Sequence, residues 1–378
     1  MRILHLGSGR TPEAVDGVNS VVWSIAAEQS GLGHEVSFLM GEDKPVPETE
    51  AICKDMGIGL FWGCAGRFSY DKTSVERILD TYRPDVVHMH SVFIPRQATL
   101  SYVLQRKKIP YVISPHGGVS PRVLQRQRWK KYPYSVLFER PRFRRASAII
   151  PISKREMQDI RSYVGRTARV CAPVGNPVRN AGDVMWAGDD GSRQKVVSLA
   201  RFDVLHKGLD RLVEIARNLP SAEFEVYGKG GETKEFIALR ARAPKNVFFL
   251  PPVFGANKWR VLSTAALYLQ TSRWEVFGMS IAEAMAIGLP CAVLPGEEFM
   301  GEVFHKTHAG FVLSGDPDKA AEELRAVLLD RHSRSERGAA GAVLARTEWS
   351  PRRVAERIVK CYEGVENLAD GICTNADG

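Results

Sequence analysis

The sequence lacks any apolar run near the roughly 20 residues that a membrane-spanning helix needs, and it is poor in cysteine. Its six cysteines are scattered along 378 residues, without a C-x-x-C pair that would suggest a zinc or redox site. We interpret them as reduced thiols of a cytosolic protein. The start, Met1 to Gly7, reads as a buried strand that ends before a secretory apolar core could form. We therefore expect a cytoplasmic protein.

Acidic residues are scarce in the first half of the chain. Residues 1–175 contain 26 lysines and arginines against 16 aspartates and glutamates, a balance of +10, whereas the remainder contains 26 against 27, a balance of −1. A basic half beside a nearly neutral half indicates a polyanionic partner. Nucleic acid, an anionic membrane and a phosphorylated substrate are the candidates.

The basic charge is densest between Arg122 and Arg145, where nine basic residues occur with Glu139 as the single acid. Aromatic residues are interleaved with them: Trp129, Tyr132, Tyr134, Phe138 and Phe143. Such a mixture can bind nucleic acid, but no RNA-binding motif accompanies it. An anionic membrane surface fits better, because each Lys or Arg near anionic lipid contributes roughly 1 kcal/mol. A merely solvated helix face is the remaining alternative.

Short β-branched runs alternate with longer amphipathic stretches, for example Tyr111 to Ser114 and Val18 to Gln29. This alternation predicts parallel sheets that are covered by helices. The pattern breaks between Pro173 and Arg193, a segment rich in glycine and proline, and it restarts at Lys195. We predict an α/β fold with two doubly wound, Rossmann-like domains that face an interdomain cleft.

The domain bounds follow from this break. The first domain is expected to span residues 1–175 and the second residues 176–350. A last helix over residues 351–367 is expected to pack back on the first domain. Residues 368–378 are polar and contain glycine, so we expect a disordered tail.

The strongest motif runs from Glu275 to Pro290 and has the pattern E-x-F-G-x-x-x-x-E-A-M-A-x-G-x-P. It follows an apolar run that ends near Gln270 and leads into an Ala-rich helix. A helix that begins near residues 278–280 points free N–H groups and the positive end of its dipole towards a ligand. Glu275 and Glu283 can then meet different parts of one extended ligand. The carboxylates of a glycosidase would have to flank one bond at roughly 5–9.5 Å, and nothing in the sequence places them so.

Two further loops carry polar residues directly after predicted strands. Arg201 and Lys207 follow the first strand of the second domain, and Lys207 precedes the glycine that opens the next helix. His116 follows the strand that ends at Ser114 and lies beside two glycines. A lone histidine is usually structural, but one on a strand-end loop beside glycines indicates a functional site.

The first turn, after Leu6, contains a G-x-G pattern that is weak evidence for a dinucleotide. Pro12 stands where the third glycine of a Rossmann fingerprint belongs, so an NAD site is not expected. The next glycine, Gly17, follows Asp16, whose role is left open.

Taken in order, these motifs resemble the family 4 retaining glycosyltransferases of the GT-B fold. The mark of that family is two glutamates separated by seven residues around a Phe-Gly turn. The segments Gly33-His34-Glu35-Val36 and Pro84-Asp85-Val86-Val87-His88 also match it, so the resemblance covers nearly the whole chain. It implies an acceptor-binding first domain and a second domain that binds the nucleotide sugar.

The resemblance also implies roles for single residues. Glu275 would contact hydroxyls of the donor sugar, and Glu283 the hydroxyls of the ribose, since carboxylates are acceptors suited to diols. Arg201 and Lys207 would grip the donor diphosphate in place of a metal ion. The catalytic set is Glu275, His116, Arg201 and Lys207. The donor-binding set is Gly17, Arg201, Lys207, Phe277, Gly278, Met279, Ser280 and Glu283.

The function that the resemblance implies is transfer of a hexose-type sugar from a UDP- or GDP-sugar to an acceptor hydroxyl, with retention. We expect no metal and no cofactor. The expected acceptor is a lipid-linked saccharide in lipopolysaccharide or exopolysaccharide biosynthesis, with the protein peripheral on the inner face of the cytoplasmic membrane and not bound to nucleic acid. Soluble starch- or sucrose-type acceptors, a sugar-nucleotide epimerase and a non-catalytic sugar-nucleotide-binding protein are the alternatives.

Overall fold

The structure is a computed structural model, and it describes residues 1–7, 17–41, 47–63, 66, 68–125, 128–165, 168–179, 181–188, 194–296 and 298–369. Asp16, Arg126 and residues 370–378 of the predicted tail lie outside the described residues, whereas residues 368 and 369 belong to the last helix. The chain divides into two compact units: unit 1 comprises Met1–Pro177 with Pro351–Gly378, and unit 2 comprises Val178–Ser350.

Unit 1 contains a six-stranded parallel sheet with the order β3-β2-β1-β4-β5-β6. Its strands are β1 (Arg2–Leu6), β2 (Glu35–Met40), β3 (Ile58–Trp62), β4 (Val86–His90), β5 (Tyr111–Ser114) and β6 (Ala148–Ile149). Its first eight helices are α1 (Gly17–Gly31), α2 (Pro47–Asp55), α3 (Lys72–Tyr82), α4 (Pro95–Arg106), α5 (Pro121–Gln125), α6 (Arg128–Tyr134), α7 (Arg140–Arg145) and α8 (Lys154–Val164), with a π-helical segment Ser135–Glu139 between α6 and α7.

Unit 2 contains a second six-stranded parallel sheet with the order β12-β11-β10-β7-β8-β9. Its strands are β7 (Gln194–Leu199), β8 (Ala222–Tyr227), β9 (Val247–Leu250), β10 (Leu267–Gln270), β11 (Cys291–Val293) and β12 (Phe311–Val312). Its helices are α9 (Val204–Lys207), α10 (Leu209–Asn218), α11 (Lys234–Ala241), α12 (Gly255–Ser263), α13 (Met279–Ala286), α14 (Glu298–Thr307), α15 (Pro317–Leu329) and α16 (Arg331–Glu348).

The last helix, α17 (Pro351–Ala369), returns to unit 1 and packs against α1. The two-sheet α/β fold predicted from the sequence is therefore confirmed. The structure divides the chain after Pro177 and after Ser350, and the predicted boundaries lie after residues 175 and 350. None of the helices among the described residues is long and apolar enough to cross a membrane.

Local sequence explains why these elements begin and pack where they do. Asp71 caps α3 by accepting a hydrogen bond from Ser74 N at 2.8 Å. Val75, Leu79 and Tyr82 follow at helical spacing and are all buried. Burial of such a side chain contributes about 1.5–3 kcal/mol. Tyr82 adds a hydrogen bond from its hydroxyl to the Glu35 carbonyl at 2.8 Å, which ties α3 to the sheet.

The described parts of the basic stretch, residues 122–125 and 128–145, are helical but not uniformly exposed. Arg142 is 1% exposed and donates to Glu139 at 2.5 Å, while Phe143 is completely buried. These residues anchor α7 to the unit, so they do not contribute to a surface patch. The exposed apolar side chains of the stretch are Trp129, Tyr132, Val136, Leu137 and Phe138.

Candidate active site

The topology of unit 2 brings two of the predicted motifs together. β7 and β10 are parallel neighbours in the sheet, with Leu267 opposite Val196, so their carboxyl ends meet. The loop after β7 carries Arg201 and Lys207, and the loop after β10 carries Glu275. The chain order reverses at this point of the sheet, which is where ligands bind in open α/β sheets.

Hydrogen bonds join the two loops directly. Thr271 Oγ1 donates to the Lys207 carbonyl at 2.9 Å, and Arg273 N donates to the His206 carbonyl at 2.9 Å. Arg273 also holds Asp210 through two bonds of 2.8 and 2.6 Å. Gly208 has a φ of 63°, and a Cβ there would lie 2.0 Å from the Thr271 carbonyl oxygen. Only glycine permits this approach.

The paired loops place Lys207 against Glu275. Lys207 Nζ donates to Glu275 Oε1, and Ser272 Oγ donates to the same oxygen at 3.0 Å. The two charged side chains are 18% and 16% exposed, so the pair is mostly shielded from water. Arg201 is exposed on the same loop. The structure therefore brings together a lysine and a glutamate that lie 68 positions apart in the sequence.

Helix α13 begins immediately after Glu275. Gly278 adopts the left-handed conformation at its N-cap, with φ 79° and ψ 67°, and makes no side-chain cap. Phe277 fixes the turn, because it is buried between Phe299 and Trp349 with ring centroids 5.0 and 5.1 Å away. The first N–H groups of α13, which include those of Met279 and Ser280, have no side-chain acceptor from the cap and suit an anionic ligand.

Glu283, in the second turn of α13, has a partner that sequence reasoning missed. Lys258 Nζ of α12 donates to Glu283 Oε1 at 2.7 Å, and the two side chains are 19% and 16% exposed. The same ammonium group lies 4.4 Å from the ring centroid of Trp259. No linear pattern marks Lys258, because α12 and α13 are brought together by the tertiary fold.

In unit 1, His116 follows β5 on a tightly held loop. It adopts a φ of 51°, and the next residue, Gly117, donates its N–H to Glu156 Oε1 at 2.5 Å. Glu156 Oε2 accepts from Ile152 N at 2.8 Å. Burial raises the pKa of Glu156 to about 7. Gly17, which the sequence resemblance assigned to donor binding, is the exposed first residue of α1.

His116 is connected to further histidines that the sequence motifs did not assign to the site. His116 Nε2 lies 3.1 Å from His90 Nδ1, and His90 Nε2 lies 3.0 Å from His5 Nδ1. Burial lowers the pKa of His5 and of His116 to about 4, and it lowers the pKa of His88 and of His90 well below 6.5. All four rings are therefore neutral at pH 7.

Two sequence models of known families match most of the chain. Residues 15–179 match a sequence model described as Glycosyltransferase Family 4, and residues 188–342 match one described as Glycosyl transferases group 1. No sequence among the curated proteins matches significantly.

Several solved structures share the fold. One is sucrose-phosphate synthase from Thermosynechococcus elongatus, which has 15% identity, a TM-score of 0.74, and coverage of 97% of this chain and 100% of that one. Another is Anabaena Alr3699/HepE in complex with UDP and glucose, with 16% identity, a TM-score of 0.69, and coverage of 96% and 100%. A third is WaaG, a glycosyltransferase involved in lipopolysaccharide biosynthesis, with 16% identity, a TM-score of 0.62, and coverage of 98% and 100%.

The buried histidines predict a loss of stability in mild acid. A histidine with a lowered folded-state pKa is protonated first in the unfolded chain, near pH 6.5. The free energy of unfolding therefore decreases as the pH is lowered from about 6.5 to the folded-state pKa. The slope is about 1.4 kcal/mol per pH unit for each histidine. Glu156 opposes this between pH 7 and 4.5, but four histidines outweigh one glutamate.

We expect the first urea-unfolding transition to move to lower urea at about pH 5.5 than at about pH 7.5. Glu156→Gln removes the opposing group and should steepen this loss. An unchanged or higher midpoint at the lower pH would contradict the prediction.

Proposed function

The chain belongs to the group 1, family 4 glycosyltransferases, and from this premise we propose that it transfers a hexose-type sugar from a UDP- or GDP-sugar to an acceptor hydroxyl with retention. The observation that carries the proposal is the Lys207–Glu275 pair at the joined ends of β7 and β10, beside the N-terminus of α13. It brings a cation and a carboxylate together three residues before the N-cap of α13.

Each of these groups has a part in binding the donor. Arg201, Lys207 and the N-terminal N–H groups of α13 bind and neutralise the diphosphate without a metal ion. Lys207 is held in place by Glu275 before the donor arrives, so little side-chain ordering is left to the binding step. Glu275 accepts hydrogen bonds from hydroxyls of the donor sugar, and Glu283 accepts them from the ribose.

The departing phosphate takes the proton of the acceptor hydroxyl on the same face of the sugar, which yields retention without an enzymatic nucleophile. The positive groups that hold the diphosphate stabilise the charge that grows on it as the glycosidic bond breaks. The complex of Anabaena Alr3699/HepE with UDP and glucose supports a nucleotide-sugar donor.

For the acceptor we propose a lipid-linked saccharide in lipopolysaccharide or exopolysaccharide biosynthesis, with the protein bound to the inner face of the cytoplasmic membrane. The similarity to WaaG, a glycosyltransferase involved in lipopolysaccharide biosynthesis, supports this class. So do the charge of +10 over residues 1–175 and an exposed patch on unit 1. In that patch Trp129, Tyr132 and Leu137 are 72%, 66% and 62% exposed, beside the exposed cations Arg128 and Lys130.

The reaction can be tested with a panel of nucleotide sugars in the presence of EDTA. We expect slow release of UDP or GDP from one of them, undiminished by the chelator, because Arg201 and Lys207 neutralise the diphosphate. Lys207→Met keeps the length of the side chain and should abolish the release. Release that requires added Mg²⁺ or Mn²⁺ would contradict the proposed diphosphate site, and a new nucleotide sugar instead of free nucleotide would indicate an epimerase.

Substitution of the two glutamates should affect nucleotide binding and sugar transfer separately. Glu283→Gln removes a charged acceptor of the ribose hydroxyls, so the affinity for the bare nucleotide should fall about tenfold or more, since such a bond contributes roughly 1.5–3 kcal/mol. Glu275→Gln should not weaken nucleotide binding but should strongly reduce kcat. Calorimetric titration and initial rates measure the two effects. Equal losses of nucleotide affinity in both variants would refute this division.

Membrane association should depend on the exposed patch of unit 1. We expect the protein to sediment with anionic vesicles and not with neutral ones, and the bound fraction to fall as salt rises. Arg128→Gln combined with Lys130→Gln should weaken binding. Lys72→Gln combined with Arg77→Gln removes the same charge from α3, at two exposed positions, and should have a smaller effect. Equal losses in both double variants would show that net charge alone attracts the protein.

A further inference from the structure

Seven buried or half-buried polar side chains in unit 1 form one continuous chain of hydrogen bonds, which we call the relay. Its members come from β1, β4, the end of β5 and the loop after it, α1 and α17. In order they are His116, His90, His5, Gln29, Tyr362, His88 and Ser114. The relay connects the candidate reaction centre at His116 to the C-terminal helix.

The strands explain how the histidines meet. His5 of β1 lies opposite His88 of β4, and His90 lies two residues further along, so the three side chains share one face of the sheet. Ser114 of β5 lies opposite His90 and also bonds His88, at 2.8 Å. Gln29 and Tyr362 reach this face from α1 and α17.

Hydrogen bonding alone accounts for this cluster. The ligand atoms of His5, His88 and His90 lie within 4.8 Å of one another, close enough to consider a metal ion. Both ring nitrogens of each of the three already have a partner in the relay, however. A metal would have to break these bonds, and we therefore interpret the cluster as a hydrogen-bonded device.

In the structure the Gln29 amide faces His5 with its oxygen and Tyr362 with its nitrogen, and this orientation gives the relay a direction. Gln29 Nε2 donates to Tyr362 Oη at 3.2 Å, so the Tyr362 hydroxyl donates onward to His88 Nδ1 at 2.6 Å. On the other side Gln29 Oε1 accepts from His5 Nε2 at 2.7 Å. A neutral imidazole carries one proton, so His5 Nδ1 has none and must accept a hydrogen bond.

The same constraint passes along the relay to its end. His5 Nδ1 accepts from His90 Nε2, which leaves His90 Nδ1 to accept from His116 Nε2. His116 therefore carries its proton on Nε2 and has a bare Nδ1. That Nδ1 is buried and has no hydrogen-bond partner among the described residues. A buried acceptor without a partner is unfavourable, so the site is suited to a ligand that donates one hydrogen bond.

We propose that Gln29 fixes the tautomer of His116 through His5 and His90, so that His116 Nδ1 accepts a hydrogen bond from a sugar hydroxyl of the substrate. This proposal rests on the glycosyltransferase function proposed above. If the Gln29 amide were turned over, every bond of the relay could reverse, and His116 would present an N–H in place of an acceptor. Gln29, His5 and His90 are thus positioning residues that act through His116.

Two substitutions with side chains of similar size distinguish the effect of hydrogen-bond direction from the effect of side-chain packing at residue 29. Gln29→Glu places an acceptor on both sides, so His5 must still donate from Nε2, and as long as the His5 ring stays neutral His116 keeps a bare Nδ1. Gln29→Met fills the same space without hydrogen bonds and leaves the histidines free to adopt either tautomer. Nuclear magnetic resonance of the full chain with ¹⁵N-labelled histidine reports which ring nitrogen carries the proton, and His116→Gln identifies the His116 signals.

We expect the Nε2–H tautomer of His116 in the wild type and in Gln29→Glu, and averaged nitrogen signals in Gln29→Met. In the nucleotide-release assay, Gln29→Met should lower kcat by up to about tenfold, as for loss of one neutral hydrogen bond, with a smaller change in KM.

An Nδ1–H tautomer in the wild type, or a single unchanged tautomer in Gln29→Met, would overturn the proposal. The resonance measurement needs no substrate. If the expected tautomer is found but no nucleotide sugar is cleaved, the proposed function fails and the tautomer assignment stands.

Discussion

The pairing of β7 with β10 is the constraint on which the candidate donor site depends. These strands are distant in sequence but adjacent and parallel in the sheet, so the loops after them must share the space beyond its edge. The loops approach closely because residue 208 has no side chain, and Thr271 fills the gap with its carbonyl group. The ion pair between Arg273 and Asp210 adds a further contact here. Lys207 and Glu275 thereby meet as a pair whose charges cancel until a charged ligand enters.

The two units hold their functional groups by different physical means. Unit 2 uses partly exposed ion pairs, Lys207 with Glu275 and Lys258 with Glu283, whose members can exchange one partner for a ligand. Unit 1 uses a buried chain of neutral groups, in which burial lowers the pKa of each histidine. Charged pairs suit recognition of a diphosphate and a ribose, while a neutral chain can fix the direction of a single hydrogen bond.

Much of the fold could be predicted from the sequence, because short β-branched runs and amphipathic stretches have clear periods. The end of β10 at Gln270 and the start of α13 at Met279 lie at or within a residue of the predicted positions. Local signals were weaker for β6, which has two residues, and for the π-helical segment, which interrupts a basic helix. The sequence pattern groups Arg142 with the surface charges, because no local signal reveals that the fold buries it with Glu139.

The candidate site was predictable where chemistry follows a linear motif, and not where it depends on register. The H-x-H pattern at His88 and His90 is visible in β4, and period two places both side chains on one face. What the sequence could not reveal is that β1 pairs in the register that sets His5 opposite His88. Nor could it show that α17, which comes last in the chain, brings Tyr362 to the same face. Because each neutral ring can donate only once, the orientation of the Gln29 amide between His5 and Tyr362 decides what His116 presents three hydrogen bonds away.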